Sequence, residues 1–240
     1  YEPALIHRDK FNLMKHLLLD NIAICTNRIL AKAPFKHVFI SEYVGDLAHV
    51  SNITKEGTYF FPLYRYPDEP EEKMFGEKER IPNFTDEFLQ AIKESLGTDP
   101  TPEEIFYYIY AVLYSPTYRK RYEEFLKIDF PRIPLPTDYE SFKALSNLGG
   151  GLVDLHLLKH SALQETEVGF PEGGSNEVEK VRYDEAAQRV YINKDQCFEG
   201  ISEEVWEYRI GDYQVTEKYL KDRKGRKLSL DEINHYMKVA

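Results

Sequence analysis

Cysteine is scarce in this 240-residue chain. Only Cys25 and Cys197 are present, which excludes a disulfide framework and a cysteine-based zinc spacing and leaves buried free thiols as the expected state. Long hydrophobic runs are missing as well. No stretch approaches the roughly 18 apolar residues of a membrane helix, and no signal-like segment opens the chain, so a cytoplasmic protein that meets no membrane is expected. Neither a glycine-rich cofactor loop following a strand nor a GxxxxGK phosphate cradle is found. There is no excess of positive charge: the formal balance is −10, the wrong sign for a protein that meets nucleic-acid phosphates unaided. Internal repeats and low-complexity tracts are absent too.

What is there predicts a substantial core. Hydrophobic residues make up 42% of the chain and aromatics 14%, too much for a disordered protein. The length suits one large domain or two small ones. Charge is unevenly spread. Between Pro67 and Glu104 there are twelve acidic and four basic residues, a balance of −8, whereas Lys218 to Lys227 holds six basic and one acidic, a balance of +5. One surface is expected to repel a polyanion and another to attract it.

The chain is organised around Thr101 to Pro136. Thr101, Pro102 and Glu104 form a capping box with proline at the first helical position. Ile105, Ile109, Val112 and Leu113 follow at helical spacing, widened by Phe106, Tyr107, Tyr108 and Tyr110. Pro116 biases Ser115 out of the helix, a second helix carries Arg119, Lys120 and Arg121, and three prolines from Phe130 to Pro136 predict an extended exit. Upstream, Phe11 to Asp20 reads as a short amphipathic helix with Lys15 and His16 toward solvent. Runs at 22–26, 37–41 and 58–61 read as antiparallel strands. Residues 68–80 read as an exposed charged loop, and Thr85 to Leu96 as a helix stopped at Gly97.

Downstream, Tyr139 to about His160 is helical in pattern, with a break expected at Gly149-Gly150-Gly151. The loop from Gly169 to Asn176 is the expected boundary between residues 1–168 and 177–240. Beyond it, 178–183 and 189–193 predict a hairpin, Glu204 to Ile210 a strand, Tyr213 to Arg223 a helix, residues 224–227 a basic turn, and Ser229 to Glu232 a capping box. The class is therefore α+β, with antiparallel sheet regions around a central helical segment.

Residues 105–136 resemble the helix, Ser-Pro break and proline exit of the C-terminal target-recognition region of Type ISP restriction-modification enzymes, single-chain relatives of Type I systems that methylate adenine. Three further blocks resemble that family in the same order: residues 61–67, residues 178–183, and residues 204–215 followed by 221–226. The resemblance implies a target-recognition (specificity) domain that binds double-stranded DNA beside an upstream methyltransferase domain of the same polypeptide. It implies S-adenosylmethionine, ATP and Mg for upstream domains and no cofactor here. In keeping with that, no Asn-Pro-Pro-Tyr methyltransferase motif occurs, and Tyr1 in place of an initiator Met suggests an excised piece of a longer protein.

No catalytic residue and no metal ligand is expected. Arginine reads guanine and Asn or Gln reads adenine through paired hydrogen bonds, while lysine mostly holds phosphate. The candidate DNA contacts are accordingly Arg209, Tyr213 and Gln214 around the Gly211 turn, then Lys221, Arg223, Lys224, Arg226 and Lys227, and thirdly Arg119, Lys120 and Arg121, where Arg121 could instead pair with Glu124. His156 and His160 stand at i, i+4, a metal-ligand spacing without its glutamate. Asp68, Glu71 and Lys73 carry the letters of a metal-dependent nuclease without the rigid hairpin such a site needs. That nuclease, and a coupling or protein-interaction module that never touches bases, stand as alternative functions.

Overall fold

The computed structural model describes residues 14–30, 34–51, 53, 57–67 and 80–240. The chain divides into two compact units, Tyr1–Leu157 and Leu158–Ala240. The acidic segment with Asp68, Glu71 and Lys73 lies outside the described residues.

In the first unit, β1 (Ala23–Thr26) is the middle strand of an antiparallel sheet with β2 (Val38–Ser41) and β3 (Tyr59–Pro62) at its edges. All four β1 residues are buried, as a central strand covered on both faces requires. Pro62 closes an edge strand, a position that tolerates a missing N–H. A short ladder of β4 (Tyr64–Arg65) and β5 (Ile81–Pro82) follows. Helix α1 (Asp86–Leu96) starts at Thr85, whose hydroxyl accepts from Phe88 N–H, and stops where Gly97 turns left-handed at φ 66°. Helix α2 (Pro102–Tyr114) begins in the expected capping box, with Thr101 and Glu104 each accepting the other's backbone N–H. Ser115 ends it and caps α3 (Pro116–Arg121).

The third long helix, α4 (Tyr139–His156), runs unbroken through Gly149-Gly150-Gly151. The expected break is wrong, and the reason is packing. A Cβ at Gly149 would stand 2.0 Å from the Tyr107 carbonyl oxygen, so α2 and α4 approach each other backbone to backbone where only glycine leaves room. The propensity cost of the glycines is offset by the core this contact closes, in which Ile105, Tyr110, Leu113, Phe142 and Val153 pack with Ile24, Val38 and Ile40 of the sheet.

The tyrosines of α2 and α3 do more than fill space. Tyr108 donates to the Pro134 carbonyl and Tyr118 to the Arg132 carbonyl, each at 2.9 Å, and Tyr114 donates to Val38 at 2.6 Å. The proline-rich exit lacks a ladder of its own, and the Tyr108 and Tyr118 hydroxyls satisfy two of its carbonyls. Of the expected helix at Phe11 to Asp20, only residues from Met14 onward are described, and they form a single 3-10 turn, Lys15–Leu17. His16 is buried rather than solvent-facing, because its Nδ1 accepts the Tyr66 N–H at 3.0 Å.

In the second unit β6 (Arg182–Asp184) and β7 (Arg189–Tyr191) form the expected hairpin, extended by β8 (Cys197–Glu199) into a three-stranded antiparallel sheet. The segment expected as a strand from Glu204 is instead a helical turn, α5 (Glu203–Trp206), capped by Ser202, whose hydroxyl accepts from Val205 N–H. The two-residue strands β9 (Arg209–Ile210) and β10 (Tyr213–Gln214) then pair across the Gly211 turn. Helix α6 (Val215–Lys221) and helix α7 (Leu230–Val239), the latter with Ser229 and Glu232 in a full capping box, cover one core of Val190, Phe198, Trp206, Leu220 and Tyr236.

Candidate functional site

The basic turn after α6 is fixed rather than loose. Gly225 takes φ 76°, a conformation glycine adopts without strain. Its N–H donates to Val178, the Val178 N–H donates to Arg226, and the Leu228 N–H donates to Asn176, at 2.8 to 3.0 Å. The partner segment is itself held by a buried amide. Gln196 donates from Nε2 to the Glu172 carbonyl and to Asn176 Oδ1, and its Oε1 accepts from Asn176 N and Asn193 Nδ2. The sequence offered no periodic signal for this network; its members are isolated amides that meet only in the folded chain.

On that frame the candidate cations separate. Arg223 stacks 3.6 Å over Tyr219 and donates from Nε to Glu232 at 3.0 Å, and Arg226 donates to the same carboxylate oxygen at 3.1 Å. Glu232 also accepts the Ser229 N–H, and its carboxyl is held below the ordinary glutamate value first by that backbone bond and then by the two arginines. Lys221 pairs with Glu217 at 2.9 Å. Lys224 and Lys227 are exposed and form no ion pair among the described residues. The turn therefore presents two uncommitted ammonium groups beside two orienting arginines.

Around Gly211, Arg209 is exposed and its guanidinium bridges the Asp212 carbonyl at 3.2 Å and Gln214 Oε1 at 3.3 Å. Gln214 is buried, and its amide donates to the Trp206 carbonyl at 2.5 Å. Both ends of that amide are used within the unit, where it joins Arg209 to the Trp206 carbonyl and holds the turn. Lys218 lies 5.4 Å from the Tyr213 ring centre.

In the first unit Arg119 is an internal group: its Nε donates to the Leu113 carbonyl at 2.6 Å, closing the end of α2, and its guanidinium lies 4.5 Å over Tyr114. It is not placed for a phosphate. Lys120 and Arg121 are exposed. Glu124 pairs with Lys127 at 2.7 Å, not with Arg121, which lies 5.7 Å over the Tyr122 ring.

His156 and His160 do not meet as metal ligands. Helix α4 ends at His156, and His160 caps a separate 3-10 turn by accepting from Ala162 N–H. His156 Nδ1 lies 2.7 Å from the Tyr110 hydroxyl, and burial, with Arg119 second, pushes its pKa down to about 4. Among the described residues no group of three or more His, Cys, Asp or Glu could hold a metal ion. Cys25 and Cys197 are both buried and free. No described helix is long and apolar enough to cross a membrane.

The family described as Type ISP C-terminal specificity domain matches residues 1–239. No curated protein matches. Among solved structures the chain is similar to DrdV in its DNA complex, at 24% identity and TM-score 0.66 over 92% of this chain and 21% of that one. It is similar to a nuclease-deletion mutant of the Type ISP restriction-modification enzyme LlaGI in complex with a DNA substrate mimic, at 22% identity and TM-score 0.62 over 92% of this chain and 20% of that one. It is also similar to the ATP-dependent Type ISP restriction-modification enzyme LlaBIII bound to DNA, at 19% identity and TM-score 0.67 over 92% of this chain and 15% of that one. The shared fold is the same mixed α+β arrangement, and the chain spans about a fifth or less of each of those proteins.

Proposed function

Since this chain belongs to the Type ISP C-terminal specificity domain family, we propose that it is the part of a longer restriction-modification enzyme that reads duplex DNA and decides where the enzyme acts. The observation that carries this reading is the family match across residues 1–239. Three DNA-bound proteins with the same fold support it, and so does a basic turn held rigid in an otherwise acidic chain. Lys224 and Lys227 contact phosphates directly, Lys221 sits at the margin, and Arg223 and Arg226 hold the turn through Glu232 while adding positive potential. Arg209, aimed by Gln214, reads a base edge, with Tyr213 beside it.

Chemistry lies elsewhere on this reading. An upstream methyltransferase domain binds S-adenosylmethionine and receives the adenine lifted out of the stack, and ATP and Mg serve further domains. Positioning fits the charge pattern: a domain of net charge −10 leaves most phosphate neutralisation to its neighbours and needs only a local grip.

The test has two arms. Exchanging this domain between two such enzymes changes the methylated sequence; an unchanged sequence rejects a recognition role. Replacing Lys224 and Lys227 together by Gln lowers the slope of log affinity against log salt by about 2, alike for all sequences; an unchanged slope removes the turn from the interface.

A further inference from the structure

Phe125 and Ile128 are large apolar side chains left 69% and 66% exposed. They sit on one 3-10 turn, Phe125–Lys127, whose closing bond runs from Ile128 N–H to the Phe125 carbonyl at 3.2 Å. Residues three apart eclipse on such a turn, so the two side chains stand together as one knob. The mount beneath is rigid. Leu126 is 2% exposed, and the Lys127 carbonyl accepts from Leu30 N–H at 3.0 Å. The following Phe130 is held edge-on by the rings of Tyr59 and Phe61 at 4.9 and 5.5 Å. Phe125 and Ile128 also form one wall of a groove of about 540 Å³, whose other walls are Tyr118, Tyr122 and the extended segment to Pro134.

Charge selects the partner. Arg119 to Arg132 holds five basic and three acidic residues in a chain that is acidic overall. The three acids are already engaged: Lys127 lies 2.7 Å from Glu124 and 3.7 Å from Glu123, and Arg28 lies 3.7 Å from Asp129. Arg119 is turned inward. Lys120 and Arg121, at the end of the preceding helix α3, and Arg132, on the wall of the groove, are exposed and form no ion pair among the described residues. An exposed apolar pair in a segment whose remaining cations are uncommitted fits a polyanion with flat apolar faces inside it, which is stacked DNA. A protein partner of ordinary composition supplies no reason for the segment to be cationic.

We propose that Phe125 and Ile128 form a wedge that enters a base step of the bound duplex, while Lys120, Arg121 and Arg132 hold the phosphates on either side. Unstacking costs the duplex free energy that the flanking contacts offset, and the bend it produces brings more protein surface against DNA. Steps that unstack easily, such as TA and CA, are then favoured without any hydrogen bond to their edges. This assigns the first unit an indirect reading role beside the direct reading by Arg209, and it rests on the DNA-recognition function above.

The experiment uses the full chain and the duplex it selects from a random pool, with 2-aminopurine substituted for adenine along that duplex. Binding of the wild type raises 2-aminopurine emission at one step. Phe125→Ala with Ile128→Ala abolishes that rise and weakens binding roughly tenfold, with the salt slope and the thermal melt unchanged, since both side chains are exposed. Replacing Lys120, Arg121 and Arg132 by Gln instead lowers the salt slope. If the double alanine variant keeps both the affinity and the emission rise, the wedge is refuted and the knob is a protein-docking surface. If the wild type selects no duplex, the recognition function itself falls, and the wedge with it.

Discussion

The two units use the same residue types for opposite ends. In the first, arginine and tyrosine are spent on holding the chain together: Arg119 closes a helix end, and two tyrosine hydroxyls hold backbone that has no ladder. In the second, a carboxylate and a buried glutamine hold a short basic turn outward, so that Lys224 and Lys227 face solvent. The presence of a cation near an aromatic ring is therefore a poor guide to a binding surface. A bond to a carbonyl of the same unit does not by itself decide the matter: Arg119 is drawn inward onto Leu113 and Tyr114, whereas Arg209 keeps its bonds at an exposed turn and Lys224 and Lys227 have no ion pair among the described residues.

That contrast can be broken most forcefully at the helix crossing of the first unit. Gly149→Leu places a side chain where the Tyr107 carbonyl stands and destabilises the first unit by about 3 kcal/mol or more. Trp206 is the only tryptophan and is buried in the second unit, so its emission remains native while helical circular dichroism falls. A coincident loss of both signals joins the units into one cooperative block. Gly151→Ala, whose Cβ meets nothing within 4 Å, is the control and raises stability by up to about 1 kcal/mol.

A smaller effect concerns acid. His156 is neutral in the fold with its pKa depressed to about 4, while the unfolded chain takes up the proton near its ordinary value of about 6.5. Stability is present in full above that value and is lost as pH falls from about 6.5 to about 4, by about 2 to 3 kcal/mol. Thermal melts of wild type and His156→Gln across that window measure it; a pH dependence unaltered by the substitution shows that the loss arises elsewhere. The smallest change is Ser229→Ala, which removes one side of the capping box of α7 and costs about 1 kcal/mol. It lowers the Trp206 transition and leaves the first unit alone; a shift in the first unit instead contradicts the division at Leu157.

Much of the fold was legible because its signals are local. Thr85, Thr101 and Ser229 each stand beside the backbone N–H they accept from, and Gly97 takes the left-handed turn after a periodic run. The helical turn at Glu203 also had such a signal, Ser202 followed by two acids, but the alternation of Trp206, Tyr208 and Ile210 imitated a strand. Among the site residues, the position of the basic turn was readable, and the burial of Gln214 and the inward turn of Arg119 were not. Both depend on carbonyls of other elements, Trp206 and Leu113.

From local signals alone came the α+β class, most helix starts, the hairpin of β6 and β7 and the family resemblance, because caps, turns and apolar periods act within a few residues of one another. That three glycines continue a helix, that His16 lies inside, and which cations are left over for a partner follow from packing in the folded chain. Those outcomes hang on groups far apart in the chain competing for the same hydrogen bonds and the same space, and no local pattern records who wins.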